Sequence, residues 1–239
     1  MDDLENRVIS RGCFSQERNK EIYDKWFKNS PRYLFRATDE QYGISKMAFC
    51  DVGCSYGMNL LTNPNSYGID IVSDYVDFAK SIGLKAYLRN VGVDSLDDLP
   101  KVEAVWCCAV PEHVDSPHLF LLQLRSLLKP GGLVFVWVPT IPPFPWLRYI
   151  PGLKKHVTAH THSDHINAFT PRTIRFTAER AGFDTIELNA MYPFPFRWLG
   201  KFLFLLDGVM YVGRRREQVY FGNSTRKGKE VDDKPDLAR

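Results

Sequence analysis

The sequence predicts an α/β fold built on a parallel sheet, and three stretches support this prediction. An apolar run at 47–50 leads into the glycine-containing stretch 51–57, which is typical of a buried strand that turns sharply towards a helix. Residues 67–70 form a second short apolar run that ends in an acid, and residues 127–136 read as a helix end, a glycine turn and a strand. Strands that alternate with helices in this way form parallel sheets covered by helices on both faces.

Length and composition indicate one α/β domain, because 239 residues are too few for two comfortable ones. We expect a helical leader or lid at 1–45, the main domain at 46–221 and a polar, disordered tail at 222–239. The net charge of +3 is too weak to indicate a nucleic-acid partner. No run reaches the ~20 apolar residues of a membrane span, and the acidic N-terminus does not resemble a signal peptide.

The five cysteines are odd in number, and none has the C-x-x-C spacing of a metal site. This pattern favours free thiols in a reducing compartment, so the predicted location is cytoplasmic.

The leader contains one segment with helical spacing, residues 18–27, whose apolar side chains fall on one side. The spacing predicts a helix docked on the domain. Residues 31–42 show no clear period, so we expect a mobile lid segment there.

The remaining elements follow in order along the chain. Residues 59–61 continue a helix after the glycine stretch, and a further helix begins at Ser73, a plausible N-cap, and ends at Gly83. The other predicted strands are 84–88, 102–108, 133–138, 183–188 and 208–213, and the other predicted helices are 117–128 and 171–181.

The glycine stretch suits a nucleotide-like ligand at the carboxyl edge of the sheet. Gly53 and Gly57 let the backbone bend and let a ligand approach closely, and the predicted helix would present unpaired N–H groups. Asp70, at the tip of the second strand, is placed to accept hydrogen bonds from both ribose hydroxyls. An ordinary strand-to-helix turn is the alternative interpretation.

Taken together, these motifs resemble those of the class I S-adenosylmethionine-dependent methyltransferases over Phe49 to Arg214. The resemblance is closest to the small-molecule branch (methyltransferase types 11 and 23), which includes the ubiquinone-type O-methyltransferases. It implies a Rossmann-like, seven-stranded, mostly parallel sheet with helices on both faces and an antiparallel last strand. It also implies S-adenosylmethionine as cofactor. One departure is Ser55, which stands where the family usually has the middle glycine.

The resemblance also implies a cofactor site. It assigns cofactor contacts to Asp51, Gly53, Cys54, Ser55, Gly57, Asp70, Ile71, Asp94, Ala109 and Val110. The family usually has an acid after the third strand that bonds the adenine amino group. The spacing here is irregular, so either Asn90 or Asp94 could take this position, and we prefer Asp94.

Two histidine segments carry the candidate catalytic residues. His113 follows the fourth strand, where ubiquinone-type enzymes have a Glu-x-x-Glu-His stretch linked to a divalent metal. Because Ala109 replaces the first Glu, we expect no metal. The run 160–165 could bind zinc, line the pocket, supply a base or be ordinary loop structure. His165 is the preferred base because it lies nearest the family's position.

Two aromatic segments are candidates for substrate or partner contacts. The proline-rich insertion 139–161 is predicted to form a lid over the acceptor through Phe144, Trp146 and Tyr149, with a packed loop as the alternative. The apolar stretch 192–206 is predicted to complete the sheet, or else to mediate peripheral membrane contact or homodimerisation.

We therefore expect an enzyme that transfers a methyl group from S-adenosylmethionine to a small, apolar or aromatic molecule. One alternative is a catalytically silent scaffold or membrane-associated binding protein with the same fold. A weaker alternative is an NAD-type oxidoreductase, which the absence of G-x-G-x-x-G disfavours.

Overall fold

The computed structural model describes residues 3–28, 32–140, 149, 164–189 and 208–217. Its strands are β1 (Phe49–Val52), β2 (Tyr67–Asp70), β3 (Ala86–Leu88), β4 (Val102–Cys108), β5 (Leu128–Pro139), β6 (Phe183–Asn189) and β7 (Gly208–Arg215). Its α-helices are α1 (Asp3–Arg11), α2 (Gln16–Ile22), α3 (Tyr33–Tyr42), α4 (Ser73–Ser81), α5 (Pro117–Leu127) and α6 (Pro171–Arg180).

These strands form one seven-stranded sheet in the order β3-β2-β1-β4-β5-β7-β6. The first five strands pair in parallel, whereas β7 is antiparallel to both β5 and β6. The predicted fold class is therefore confirmed, including the antiparallel last strand. The carboxyl ends of β1, β2 and β4 lie at one edge of the sheet, where parallel α/β sheets bind their ligands.

The prediction of a mobile segment at 31–42 is wrong for its described part, because Tyr33–Tyr42 forms α3. Phe35 is fully buried, with its ring centroid 5.3 Å from that of Phe49 and 5.2 Å from that of Trp106. The only other buried residue of this helix is Thr38, so its apolar period is too weak to detect in the sequence.

The segment after the glycine stretch is also different from the prediction. Met58–Thr62 forms a short 3-10 helix rather than an α-helix, so the expected helix N-terminus with its dipole is absent there. Pro64 explains the difference, because it disfavours helical backbone at Asn63 and leaves too few residues for an α-helix. Ser73 is likewise the first residue of α4 rather than its N-cap, which is Val72.

The leader packs against the sheet domain through a shared apolar cluster. Val8, Ile22 and Phe27 lie in one buried group with Tyr56 and Phe78, which belong to the glycine stretch and to α4. The helical prediction for 18–27 is confirmed as α2 followed by a π-helical turn at Tyr23–Phe27.

Several sequence predictions lie outside the described residues. They concern 192–206, the tail 222–239, residues 141–148 and 150–161 of the insertion, and residues 160–163 of the histidine run. None of the helices in the described part of the chain combines the length and the apolar character needed to cross a membrane.

Candidate active site

The glycine stretch forms a tight loop at the carboxyl end of β1. Gly53, Ser55 and Gly57 have φ angles of +74°, +51° and +85°, in the left-handed region that glycine adopts without strain. The Ser55 N–H donates to Asp70 Oδ2 at 2.8 Å, which helps to hold this non-glycine residue there. The loop therefore keeps a left-handed conformation at the position where the family's middle glycine is replaced.

Asp70 braces this loop as well as the turn after β2. Its Oδ1 atom accepts from the Val72 N–H at 3.0 Å, while its Oδ2 atom accepts from the loop. Each carboxylate oxygen can accept more than one hydrogen bond, so these contacts leave capacity for the predicted ribose hydroxyls.

The loops after β1 and β4 are in contact. A Cβ atom at Gly53 would lie only 2.5 Å from Val110 Cγ2, so a side chain there would have to displace Val110. Ala109 has a φ angle of +56°, and its N–H donates to the Trp137 carbonyl at 3.0 Å. The predicted cofactor residues Gly53, Ala109 and Val110 are thus brought together at one edge.

A cavity of about 290 Å³ opens beside this loop. It is lined by residues of the loop, the segment before α3, the 3-10 helix and β4. They are Arg32, Tyr33, Leu34, Asp51, Gly53, Cys54, Met58, Asn59, Trp106 and Cys108. Sequence reasoning placed three of them at the cofactor site, Asp51, Gly53 and Cys54, and missed the other seven.

Asp51 is the buried acid of this cavity. Only 2% of it is exposed, and burial raises the pKa of its carboxyl to about 7. Asn59 donates from Nδ2 to Asp51 Oδ2 at 3.0 Å, and this bond together with the charge of Arg32 acts in the opposite direction. Asn59 Oδ1 is buried and has no hydrogen-bond partner among the described residues.

Two predicted cofactor residues lie beyond β2 and β3. Ile71 is 68% exposed, so its surface is open to a ligand. The Asp94 carboxylate accepts from the Asn90 N–H at 2.7 Å, so the two competing residues belong to one turn.

The histidine candidates meet at the carboxyl end of β4. Residues Pro111–His113 form a 3-10 turn, and the Glu112 carbonyl accepts from the Ile166 and Asn167 N–H groups. These contacts bring the His113 and His165 rings to a centroid separation of 4.8 Å in an edge-on arrangement. The two predicted bases, which are far apart in sequence, are therefore neighbours.

The local contacts of His113 determine which of its ring nitrogens is available. His113 Nδ1 lies 3.0 Å from the Asp164 carbonyl oxygen, which can only accept, so Nδ1 carries the proton in the neutral ring. Nε2 then holds the lone pair, 3.9 Å from Glu112 Oε1. Glu112 is 1% exposed, and burial raises the pKa of its carboxyl to about 7.

Glu112, His113 and His165 also have side chains of the types that bind metal ions. One potential ligand atom from each residue lies within 4.8 Å of the other two. Sequence reasoning treated Glu112 as the remnant of an incomplete acid pair, and named it, His113 or the run 160–165 as the groups that would bind an ion if the enzyme used one. It did not foresee that His165 would complete a three-residue cluster with it.

The predicted substrate residues Phe144 and Trp146 lie outside the described residues. Tyr149 is described, and its side chain is 74% exposed.

The sheet carries a glycine loop, a hydrogen-bonded acid at the end of the second strand and a cavity at its carboxyl edge. These features are typical of an α/β enzyme that binds a nucleotide cofactor. A family model described as a methyltransferase domain matches residues 21–188, so the chain belongs to that family.

Two curated relatives match most of the chain. The chain is 26% identical over 195 residues to the thiol S-methyltransferase TMT1B of Rattus norvegicus, covering 73% of this chain and 75% of the relative. It is also 26% identical over 179 residues to the ubiquinone biosynthesis O-methyltransferase of Aeromonas salmonicida, covering 70% of this chain and 75% of the relative.

Solved structures show the same fold. A SAM-dependent methyltransferase from Archaeoglobus fulgidus superposes with a TM-score of 0.56 at 17% identity, covering 82% of this chain and 99% of that one. A structure from Haloferax volcanii, a complex between the Trm112 methyltransferase activator and a methyltransferase, matches with a TM-score of 0.56 at 16% identity. It covers 90% of this chain and 99% of that one. The protein is a class I methyltransferase that uses S-adenosylmethionine, which removes the oxidoreductase and silent-scaffold alternatives.

Proposed function

We propose that this enzyme methylates a small, apolar or aromatic molecule on a hydroxyl or thiol group. The observation that carries the proposal is the pairing of His113 with His165 beside the buried Glu112, at the carboxyl end of β4. Hydroxyl and thiol acceptors must lose a proton on methylation, and such a cluster can take it. The names of the relatives, a thiol S-methyltransferase and a ubiquinone biosynthesis O-methyltransferase, support these two acceptor types.

The bound cofactor supplies an electrophilic methyl group. The residues of this chain have to orient the acceptor, exclude water and receive its proton. His113 Nε2 is the nitrogen with the lone pair, and Glu112 Oε1, 3.9 Å away, can stabilise the imidazolium that forms when Nε2 takes the proton. We further propose that Phe144, Trp146 and Tyr149 of the insertion cover the acceptor. Nucleic acid is not an expected substrate, and contact with a membrane or a second copy through 192–206 remains a prediction.

The proposal is tested by measuring turnover with matched phenols and aryl thiols in the wild type and in His113→Ala and His165→Ala. If the cluster provides the base, kcat for a phenol falls by about 10²-fold or more. The loss should be smaller for a thiol, because a model thiol ionises near pH 8.5 and a phenol near pH 10. His118→Ala on α5 is the matched control, since it removes a histidine outside the cluster.

Absence of turnover with every phenol and thiol, by an enzyme that binds S-adenosylmethionine, would exclude this acceptor class. Unchanged kcat across pH in both histidine variants would show that the enzyme uses no base from this cluster.

A further inference from the structure

We propose that Asn167 is the positioning residue for the histidine pair, His113 and His165. Its side-chain amide joins the segment 164–170 to the turn after β4. In doing so it fixes the separation of the two rings and the tautomer of His113. The expected effect on turnover rests on the proposed function of the pair, whereas the expected effect on the geometry of the rings does not.

The contacts of Asn167 are concentrated on one short turn. Its backbone N–H donates to the Glu112 carbonyl at 3.0 Å, and its Nδ2 atom lies 3.3 Å from the Pro111 carbonyl oxygen and 2.5 Å from the Val114 carbonyl oxygen. A carbonyl oxygen can only accept, so the amide nitrogen, with its two N–H groups, is the end of the side chain that faces them. One residue therefore binds three carbonyls of the turn.

The backbone contacts alone would leave the segment free to turn. The N–H groups of Ile166 and Asn167 both donate to the Glu112 carbonyl, so they attach the segment at a single oxygen. A single attachment point acts as a pivot about which the segment could rotate. The two amide contacts of Asn167 reach carbonyls on either side of Glu112 in the chain, at Pro111 and Val114, and so they oppose that rotation.

Apolar packing holds the far end of the segment rather than the part next to the histidines. Phe169 is 4% exposed in the main core, and Thr170 caps α6. By contrast, Ile166 is 60% exposed and the Asp164 side chain is 71% exposed. The position of residues 164–166 therefore depends on hydrogen bonds more than on buried apolar surface.

This segment supplies two contacts of the His113 ring. The Asp164 carbonyl accepts from His113 Nδ1 at 3.0 Å, and the His165 ring packs edge-on against the His113 ring. In a neutral imidazole, the hydrogen bond made by one nitrogen decides which nitrogen keeps the lone pair. Without the Asn167 amide, the Asp164 carbonyl can move away, and His113 loses the contact that directs its lone pair to Nε2.

The test reads the tautomer of His113 by nitrogen-15 NMR, with the signals assigned through His113→Ala and His165→Ala. The spectra are recorded well above pH 6.5, where a model histidine is neutral. We expect the Nδ1–H form in the wild type and a mixture of tautomers in Asn167→Ala. The kcat for a phenol should fall by about 10–100-fold in this variant, with KM changed by less than about threefold. Asn167→Ser, which keeps one donor, should give intermediate values.

Asn63→Ala is the matched control. Asn63 Nδ2 also donates to two backbone carbonyls, those of Ser45 at 3.0 Å and Met47 at 2.9 Å, but these lie before β1. This variant should lose a similar amount of stability in urea denaturation and keep the wild-type tautomer and kcat. Titration with S-adenosylhomocysteine verifies that each variant retains a folded cofactor site.

The two readouts separate this inference from the proposed base. If Asn167→Ala changes the tautomer while neither it nor His113→Ala lowers kcat, the positioning role stands and the proposed base fails. If His113→Ala lowers kcat while Asn167→Ala keeps the Nδ1–H form and the wild-type kcat, the inference is overturned and the base stands. An equal loss of kcat in Asn63→Ala would also overturn the inference, because it would show a general effect of lost stability. Should Asn167→Ala not fold, Asn167→Ser decides by the same readouts.

Discussion

Asp51 is a buried acid, so its predicted role in cofactor binding would conflict with the stability of the fold. Its carboxyl has a pKa near 3.8 in a model compound and about 7 in the folded protein, because burial disfavours the charge. The folded state therefore binds this proton more tightly than the unfolded state does. The corresponding stability is fully present below about pH 4 and is lost as the pH rises to about 7, where the carboxylate ionises in its buried position.

Asp51→Asn should therefore stabilise the ligand-free protein at pH 8 and weaken its binding of S-adenosylmethionine. Asparagine can still accept from Asn59. It also removes an ionisation penalty on the order of 4 kcal/mol, since the pKa shift of about 3 units corresponds to about 1.4 kcal/mol per unit. The measurement is urea denaturation of both proteins at pH 5 and pH 8. Glu112 titrates in both proteins, so its contribution cancels in the comparison. A variant whose stability has the same pH dependence as the wild type would show that Asp51 is not the responsible group.

At the scale of elements, the site depends on how the turns after β1 and β4 fit together. Both turns contain left-handed residues, and Gly53 has room for only a hydrogen atom beside Val110. Gly131 offers a matched comparison, because its φ angle of +72° is similar but a Cβ atom there would meet nothing within 4 Å.

Gly53→Ala and Gly131→Ala should both lose about 1–2 kcal/mol of stability through left-handed strain. Only Gly53→Ala adds the clash with Val110, which should cost roughly 1–3 kcal/mol more and reduce affinity for S-adenosylhomocysteine. Adding Val110→Ala to Gly53→Ala should recover much of the extra loss in a double-mutant cycle. Additive effects in that cycle would mean that the two turns are not coupled through this contact.

The turn after β4 also allows a test of the expected independence from metal. Activity should persist after dialysis against a chelator, because Ala109 removes the acid that the resembling enzymes place there. Loss of activity that magnesium or zinc restores would show that Glu112, His113 and His165 recruit an ion. A thermal-shift titration with either metal gives a second readout, and a shift that disappears in His165→Ala would assign the ion to this cluster.

At the scale of the whole molecule, the sheet could be predicted because its strands are short apolar runs bounded by glycine and proline. The glycine loop could be predicted in the same way. Asp70 was named from its position at a strand tip and the two histidines from the family resemblance, and their roles stay predictions. Most of the cavity wall could not, because Arg32, Asn59 and Trp106 come from three separate elements, and only the folded chain brings them to the glycine loop. His113 and His165 are neighbours because the backbone N–H groups of residues 166 and 167 donate to the Glu112 carbonyl. No sequence pattern predicts these hydrogen bonds.

The leader is the part of the molecule whose role is least evident from the sequence, and its packing predicts that it folds with the sheet. Phe27 is 2% exposed and lies 6.1 Å, between ring centroids, from Phe78 of α4, in the cluster that includes Tyr56 of the glycine stretch. Phe27→Ala should therefore cost about 3–5 kcal/mol and weaken S-adenosylhomocysteine binding. Phe176→Ala is the matched control, because its ring is 59% exposed on α6 and its loss should be within about 0.5 kcal/mol. Denaturation followed by fluorescence, together with titration of both variants, separates the outcomes. If the leader melts in a separate transition and Phe27→Ala binds the ligand as the wild type does, the leader is an appendage rather than part of the cofactor site.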